Sequence, residues 1–237
     1  MAIRTVLLST DLLPRVQAYQ FGLFDDLQPS FRAWVARIVS FDTKRQQTMV
    51  QLPTDQGATA LDEYFVNAAT DRAFLLHHAI ATGASLPRVL RWVACFGDEL
   101  VSRYTMDCAA THGRLDVLEW LHQHRDEGCT TDAMDFAALR GHVDVVRFLH
   151  ERRTEGATFL AMDFAAGQGH GDVVRFLHER RTEGCSTMAM DTAASNGHLE
   201  MVRFLHQERH EGHTMKAMDG ATKYHHDHVV AYLQGMT

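Results

Sequence analysis

Through the later part of the chain, apolar and polar positions recur with a period of 28 residues. Ala133-Met134-Asp135-Phe136-Ala137-Ala138 returns as Ala161-Met162-Asp163-Phe164-Ala165-Ala166 and again as Ala189-Met190-Asp191-Thr192-Ala193-Ala194. An earlier copy is Thr105-Met106-Asp107-Cys108-Ala109-Ala110, and a later one opens Ala217-Met218-Asp219. One column is aromatic throughout: Trp92, Trp120, Phe148, Phe176, Phe204, Tyr232. The next reads Val93, Leu121, Leu149, Leu177, Leu205, Leu233. A hydroxyl column holds Ser102, Thr130, Thr158, Ser186 and Thr214. Gly113, Gly141, Gly169 and Gly197 mark one turn, and Gly128, Gly156, Gly184 and Gly212 a second. Such regularity is the signature of a repeat array.

Each unit predicts two helices. Ala133 to Ala138 are good helix formers, and the Ala pair lets a neighbouring helix approach closely. Thr130 is placed to cap this helix, and Gly141 suits the tight turn after it. A second helix is expected from near Val143, carrying Val145, Val146, Phe148 and Leu149 on more than one face. It ends near Arg153, where Gly156 can take a left-handed conformation. One unit cannot bury these residues, whereas stacked units can, so the array is the folding entity. The fold class expected is all-α, an α-solenoid.

The string Ala137-Ala138-x-x-Gly141-His142-Val143-Asp144-Val145-Val146-x-x-Leu149 resembles the second half of the ankyrin repeat. Residues 133–138 are similar to its T-P-L-H-x-A-A stretch, with Asp135 where the family usually has His. Ankyrin repeats normally take about 33 residues. About five are missing here from the inter-repeat segment, leaving Glu155-Gly156-Ala157-Thr158. The family's projecting β-hairpin finger is therefore expected to shrink to a tight loop. The resemblance covers residues 105–233 well and 77–104 loosely. It implies a degenerate first repeat at 75–104, repeats at 105–132, 133–160, 161–188 and 189–216, and a C-terminal cap at 217–237. In that last unit His225 replaces the turn glycine.

Residues 1–74 are not repetitive. Helices are expected at 10–19, 30–39 and 59–69. Residues 43–57 read as a loop with a short strand at 48–52. This region is expected to cap the first hydrophobic face of the array. Alternatively, Leu12-Leu13-Pro14 and the following helices resemble an F-box, which implies a substrate adaptor for ubiquitin ligation.

Candidate chemistry divides into repeated columns and local clusters. His142, His170 and His198 form one histidine ladder, and His122, His150, His178 and His206 another. Equivalent residues in stacked helices lie about 10 Å apart. That is too far to share one metal, so each imidazole is expected to hydrogen-bond backbone at its turn. Asp107, Asp135, Asp163, Asp191 and Asp219 give one carboxylate per unit with no distinct partner, which predicts a structural hydrogen bond. His206, His210, His213, His225, His226 and His228 cluster near the C-terminus. Yet His210-Glu211-Gly212-His213 is one residue short of H-E-x-x-H, and no cysteine completes a tetrahedral set. Gly167-Gln168-Gly169-His170-Gly171 lacks the strand and Lys-Ser/Thr of a phosphate loop and reads as a locally loosened repeat. Arg152-Arg153 and Arg180-Arg181 lie beside Glu151, Glu155, Glu179 and Glu183, as on a salt-bridged face. No catalytic residue, metal or cofactor is expected.

In a solenoid the frame repeats and the contact positions vary. The variable columns flank the first helix of each unit. By the ankyrin resemblance they lie on the binding side: Tyr104, Asp132, Arg140, Phe159, Leu160, Gln168, Met188, Asn196, Met215 and Lys216. Phe159, Leu160 and Met188 form an apolar centre rimmed by polar and charged residues. The alternative is that they pack between adjacent loops. The expected partner is another protein, bound by a monomeric scaffold. The chain has 237 residues, is 46% hydrophobic and carries a formal net charge of −7, so no general basic footprint invites nucleic acid. No apolar run is long enough for a membrane span. Cys95, Cys108, Cys129 and Cys185 form no C-x-x-C pair, which suits a reducing, intracellular setting, cytoplasmic by expectation.

Overall fold

The computed structural model describes residues 27, 40–42, 47–49, 73–97, 100–209 and 211–235. The chain divides into two compact units, residues 1–105 and 106–237.

In the first unit, strands β1 (Ser40–Asp42) and β2 (Gln47–Met49) pair antiparallel with Phe41 opposite Thr48. The expected strand at 48–52 thus overlaps β2, and its partner β1 carried no strand expectation. The helices expected at 10–19, 30–39 and 59–69, and the F-box-like segment, lie outside the described residues. Leu27 is fully buried. Helix α1 (Phe74–Ala81) and α2 (Leu86–Phe96) form a pair, with Pro87 in the first turn of α2, where its missing N–H costs nothing. Leu76, Ile80, Val89 and Trp92 are buried here. So is His77, whose Nε2 lies 2.9 Å from Thr105 Oγ1.

Helix α3 (Arg103–Thr111) leads into the second unit. Then come α4 (Leu115–His124), α5 (Asp132–Leu139), α6 (Val143–Arg152), α7 (Phe159–Gly167) and α8 (Gly171–Arg180). The last are α9 (Thr187–Ser195), α10 (Leu199–Glu208), α11 (Met215–Lys223) and α12 (Asp227–Gln234). The odd-numbered helices are the first of each repeat, the even-numbered the second, and Thr130, Thr158, Ser186 and Thr214, just before α5, α7, α9 and α11, belong with the repeat that follows. Among the described residues the loops between repeats are short and contain no strand, as trimming of the finger predicts.

Packing follows the two periodicities. Ala137, Ala138, Ala165, Ala166, Ala193 and Ala194 are fully buried, so successive first helices approach closely through small side chains. Val145, Val146 and Leu149 are buried on α6, as are their counterparts on α8 and α10. The aromatic column borders this core. Phe148, Phe176, Phe204 and Tyr232 are half-buried. Each meets the edge or face of a histidine one repeat earlier, with ring centroids 5.7, 5.4, 5.4 and 5.8 Å apart.

The carboxylate column joins repeat to repeat. Asp107 accepts from Thr130 N at 2.8 Å and Thr130 Oγ1 at 2.9 Å. Asp135 does the same with Thr158 at 2.9 and 2.7 Å, Asp163 with Ser186 at 2.7 and 2.5 Å, and Asp191 with Thr214 at 2.7 and 2.6 Å. The same hydroxyl accepts from the amide two residues on, at 3.1 Å for Leu160 and Met188 and 3.2 Å for Lys216. One side chain therefore caps its own helix and ties it to the preceding repeat. Burial pushes the carboxyls of Asp135 and Asp163 above the usual range, against the pull of these hydrogen bonds.

Candidate protein-binding face

The first helices α5, α7 and α9 each bury all but one narrow stripe, whereas α11 buries only Ala217 and Ala221. On α5, Ala133, Met134, Asp135, Ala137 and Ala138 are buried. Asp132, Phe136 and Leu139 are half-buried, and Arg140 just beyond is exposed. These positions are i, i+4, i+7 and i+8, one face of a helix. On α7 the open positions are Phe159, Leu160 and Phe164, followed by Gln168; on α9 they are Thr187, Met188, Thr192 and Ser195, followed by Asn196. The helices α5, α7, α9 and α11 pack successively against one another, so their stripes lie side by side.

The residues singled out from sequence occupy these stripes and the turns that open them. Phe159 is 48% exposed and Met215 81% exposed. Arg140, Gln168, Asn196 and Lys216 are exposed, and Asp132, Leu160 and Met188 half-buried. Tyr104, in the first unit, is 51% exposed. Asn196 is also part of the frame, since its Nδ2 donates to the Gly167 carbonyl at 2.7 Å. Sequence reasoning passed over Phe136 and Phe164. Their rings stack across the α5–α7 seam with centroids 6.4 Å apart and planes 13° from parallel. Because Phe recurs at this position it reads as core, yet it falls four residues after Asp132 and Leu160, on the open stripe.

The histidine ladders prove structural, by a different contact from the one expected. His170 Nε2 donates to Leu139 O at 3.1 Å, in the preceding repeat rather than at its own turn. Its ring also covers Gly141. A Cβ added at Gly141 would lie 2.6 Å from that imidazole, and the backbone there has φ of 75°. His142 covers Gly113 and His198 covers Gly169 in the same way. Burial lowers the pKa of both His142 and His198.

Arg153 and Glu155 pair at 2.5 Å beside the preceding loop, where Glu155 also accepts from Cys129 N at 3.1 Å. Burial raises the Glu155 pKa, but the Arg153 hydrogen bond and backbone donors outweigh it and bring it down to about 2. Arg181 pairs with Glu183, and Arg209 with Glu211, at the equivalent places. These arginines are thus engaged at the seams.

Gly167 is no loosened position. It is buried, and Thr192 Oγ1 would lie 2.7 Å from any Cβ there, so its lack of a side chain admits the next helix. Among the described residues no group of three or more His, Cys, Asp or Glu is disposed to hold a metal. His210 lies outside them. Burial pushes the Cys129 thiol up to about 12 and the Cys185 thiol up to about 11, so neither is an activated nucleophile. No helix among the described residues is long and apolar enough to cross a membrane.

Paired helices, tied seam to seam and open along one stripe per repeat, define an α-solenoid. Residues 106–150 and 161–206 match the family model for ankyrin repeats in many copies. These two stretches are ankyrin repeats. No curated protein matches the chain. Ankyrin repeats are general protein–protein interaction modules, typically in scaffolds rather than enzymes.

Proposed function

We propose that this protein is a scaffold or adaptor that takes a partner protein on the loop and first-helix face of its array. Phe159, Leu160 and Met188 form the apolar centre, with Asp132, Arg140, Gln168, Asn196, Met215 and Lys216 around it. Tyr104 holds the corresponding position one repeat before Asp132. The observation that supports this reading most is the exposure of large apolar side chains at the first positions of α7 and α11. Phe159 and Met215 leave 48% and 81% of their surface open, a composition suited to an interface core. The reading carries a non-repetitive region to residue 74, an array from residue 75, and an intracellular, cytoplasmic monomer without nucleic-acid or membrane partners.

The test is the double variant Phe159→Ser, Leu160→Ser in the full chain. Partner capture is expected to vanish while the melting transition stays nearly unchanged. Loss of folding would show instead that these side chains serve packing between adjacent loops.

A further inference from the structure

We propose, resting on the reading above, that the face takes an extended peptide segment with apolar anchors followed by acidic residues. The stripes of α7 and α9 carry no charge: Leu160, Phe164 and Gln168 lie beside Met188, Thr192 and Asn196. The stacked pair Phe136–Phe164 extends this apolar strip onto α5. Beyond α9 the character changes. Lys216 and Lys223 are exposed on α11, seven positions apart and so on one face. The ion pairs among the described residues all use arginine, so neither lysine is committed to one. Exposed Asp219 lies between them and offsets one charge, so α11 itself carries a formal +1 in a chain of net charge −7.

A ligand reaching from Phe136 to Lys216 crosses three helix spacings, about 30 Å. An extended strand covers that in roughly nine residues. Its apolar side chains bury against Phe136, Leu160, Phe164 and Met188, and its acidic end meets the two lysines. Such charges at the rim of an interface set selectivity and approach more than total affinity.

The test is selection of a displayed library of random twelve-residue peptides on the full-length protein. Enriched peptides are expected to carry aromatic or aliphatic anchors followed by Asp or Glu. Replacing Lys216→Glu and Lys223→Glu is expected to weaken them about tenfold and to turn a repeated selection toward Lys and Arg. Enrichment without an acidic bias, or a bias unchanged by the charge reversal, overturns the acidic partner. If such peptides still lose binding in the Phe159→Ser, Leu160→Ser variant, the binding face itself stands. No enrichment, or peptides indifferent to both sets of substitutions, overturns the face as well.

Discussion

The repeat built on α5 and α6 and the last one, built on α11 and α12, are two copies of one plan under different constraints. Gly141 and His225 hold the same place in the turn. Both have a left-handed backbone, with φ of 75° and 60°. Gly141 lies beneath the imidazole of His170, whereas His225 is exposed. Left-handed backbone alone therefore tolerates a histidine, one of the residue types most often found there. Contact with the following repeat is what demands glycine at residue 141. Asp135 and Asp219 show the same contrast: the first is buried and takes two hydrogen bonds from Thr158, and the second is exposed. Identity in this array is imposed by the next repeat more than by the unit itself.

The largest effect belongs to a position that no difference between copies relaxes. Leu149 is 2% exposed, and Leu149→Ala is expected to cost about 2–5 kcal/mol as an internal cavity, read by chemical denaturation. A loss below about 1 kcal/mol would contradict a continuous core. Next is Gly141→Ala, which combines left-handed strain of about 1–2 kcal/mol with displacement of the His170 ring. His225→Ala meets no such ring and is expected to cost less than about 1 kcal/mol. Equal losses at the two sites would show that backbone conformation, and not the seam, fixes the glycine.

Asp135→Ala leaves the Thr158 amide and hydroxyl without their acceptor and is expected to cost about 1–3 kcal/mol. Asp219→Ala should stay within about 0.5 kcal/mol, as at an ordinary surface site. If both are silent, the carboxylate column does not hold the repeats together.

Legibility in the sequence follows the same division. Period, helix pairs and turn glycines were readable because each repeats, and because Ala137 and Leu149 have one solution in every copy and Gly141 in every copy but the last. The Asp column was readable as structural for the same reason, though not its partner. The Asp135–Thr158 pair spans 23 residues and joins two columns that look independent. Histidine contacts were misassigned because a period locates a residue within its unit and says nothing of what the neighbouring unit places over it. The binding stripe was half legible: variation marked Leu160 and Gln168, while recurrence disguised Phe136 and Phe164. Gly167 looked like a break because a glycine in a helix weakens it in isolation, yet here it makes room for Thr192.

The smallest expected effect is a pH dependence carried by the seam histidines. Burial, with His112, Arg140 and His170 near it, lowers the His142 pKa below the usual 6.5, against the opposing pull of the Thr111 backbone. His198 is lowered by burial and by His170 and His226. A group whose folded pKa is depressed binds fewer protons folded than unfolded, so the unfolded chain takes up protons first as the solution is acidified. For these histidines stability is full above 6.5 and declines as pH falls through the window below it. Carboxylates cannot produce the same decline there. Glu155, at about 2, loses its contribution only below its unfolded value of 4.5. Asp135 and Asp163 are raised, and acidification through their window favours the folded state. The melting temperature is therefore expected to fall between pH 7.5 and 5.5, and His142→Gln with His198→Gln to flatten that fall. A slope that survives the seam substitutions would show that these two histidines do not set it.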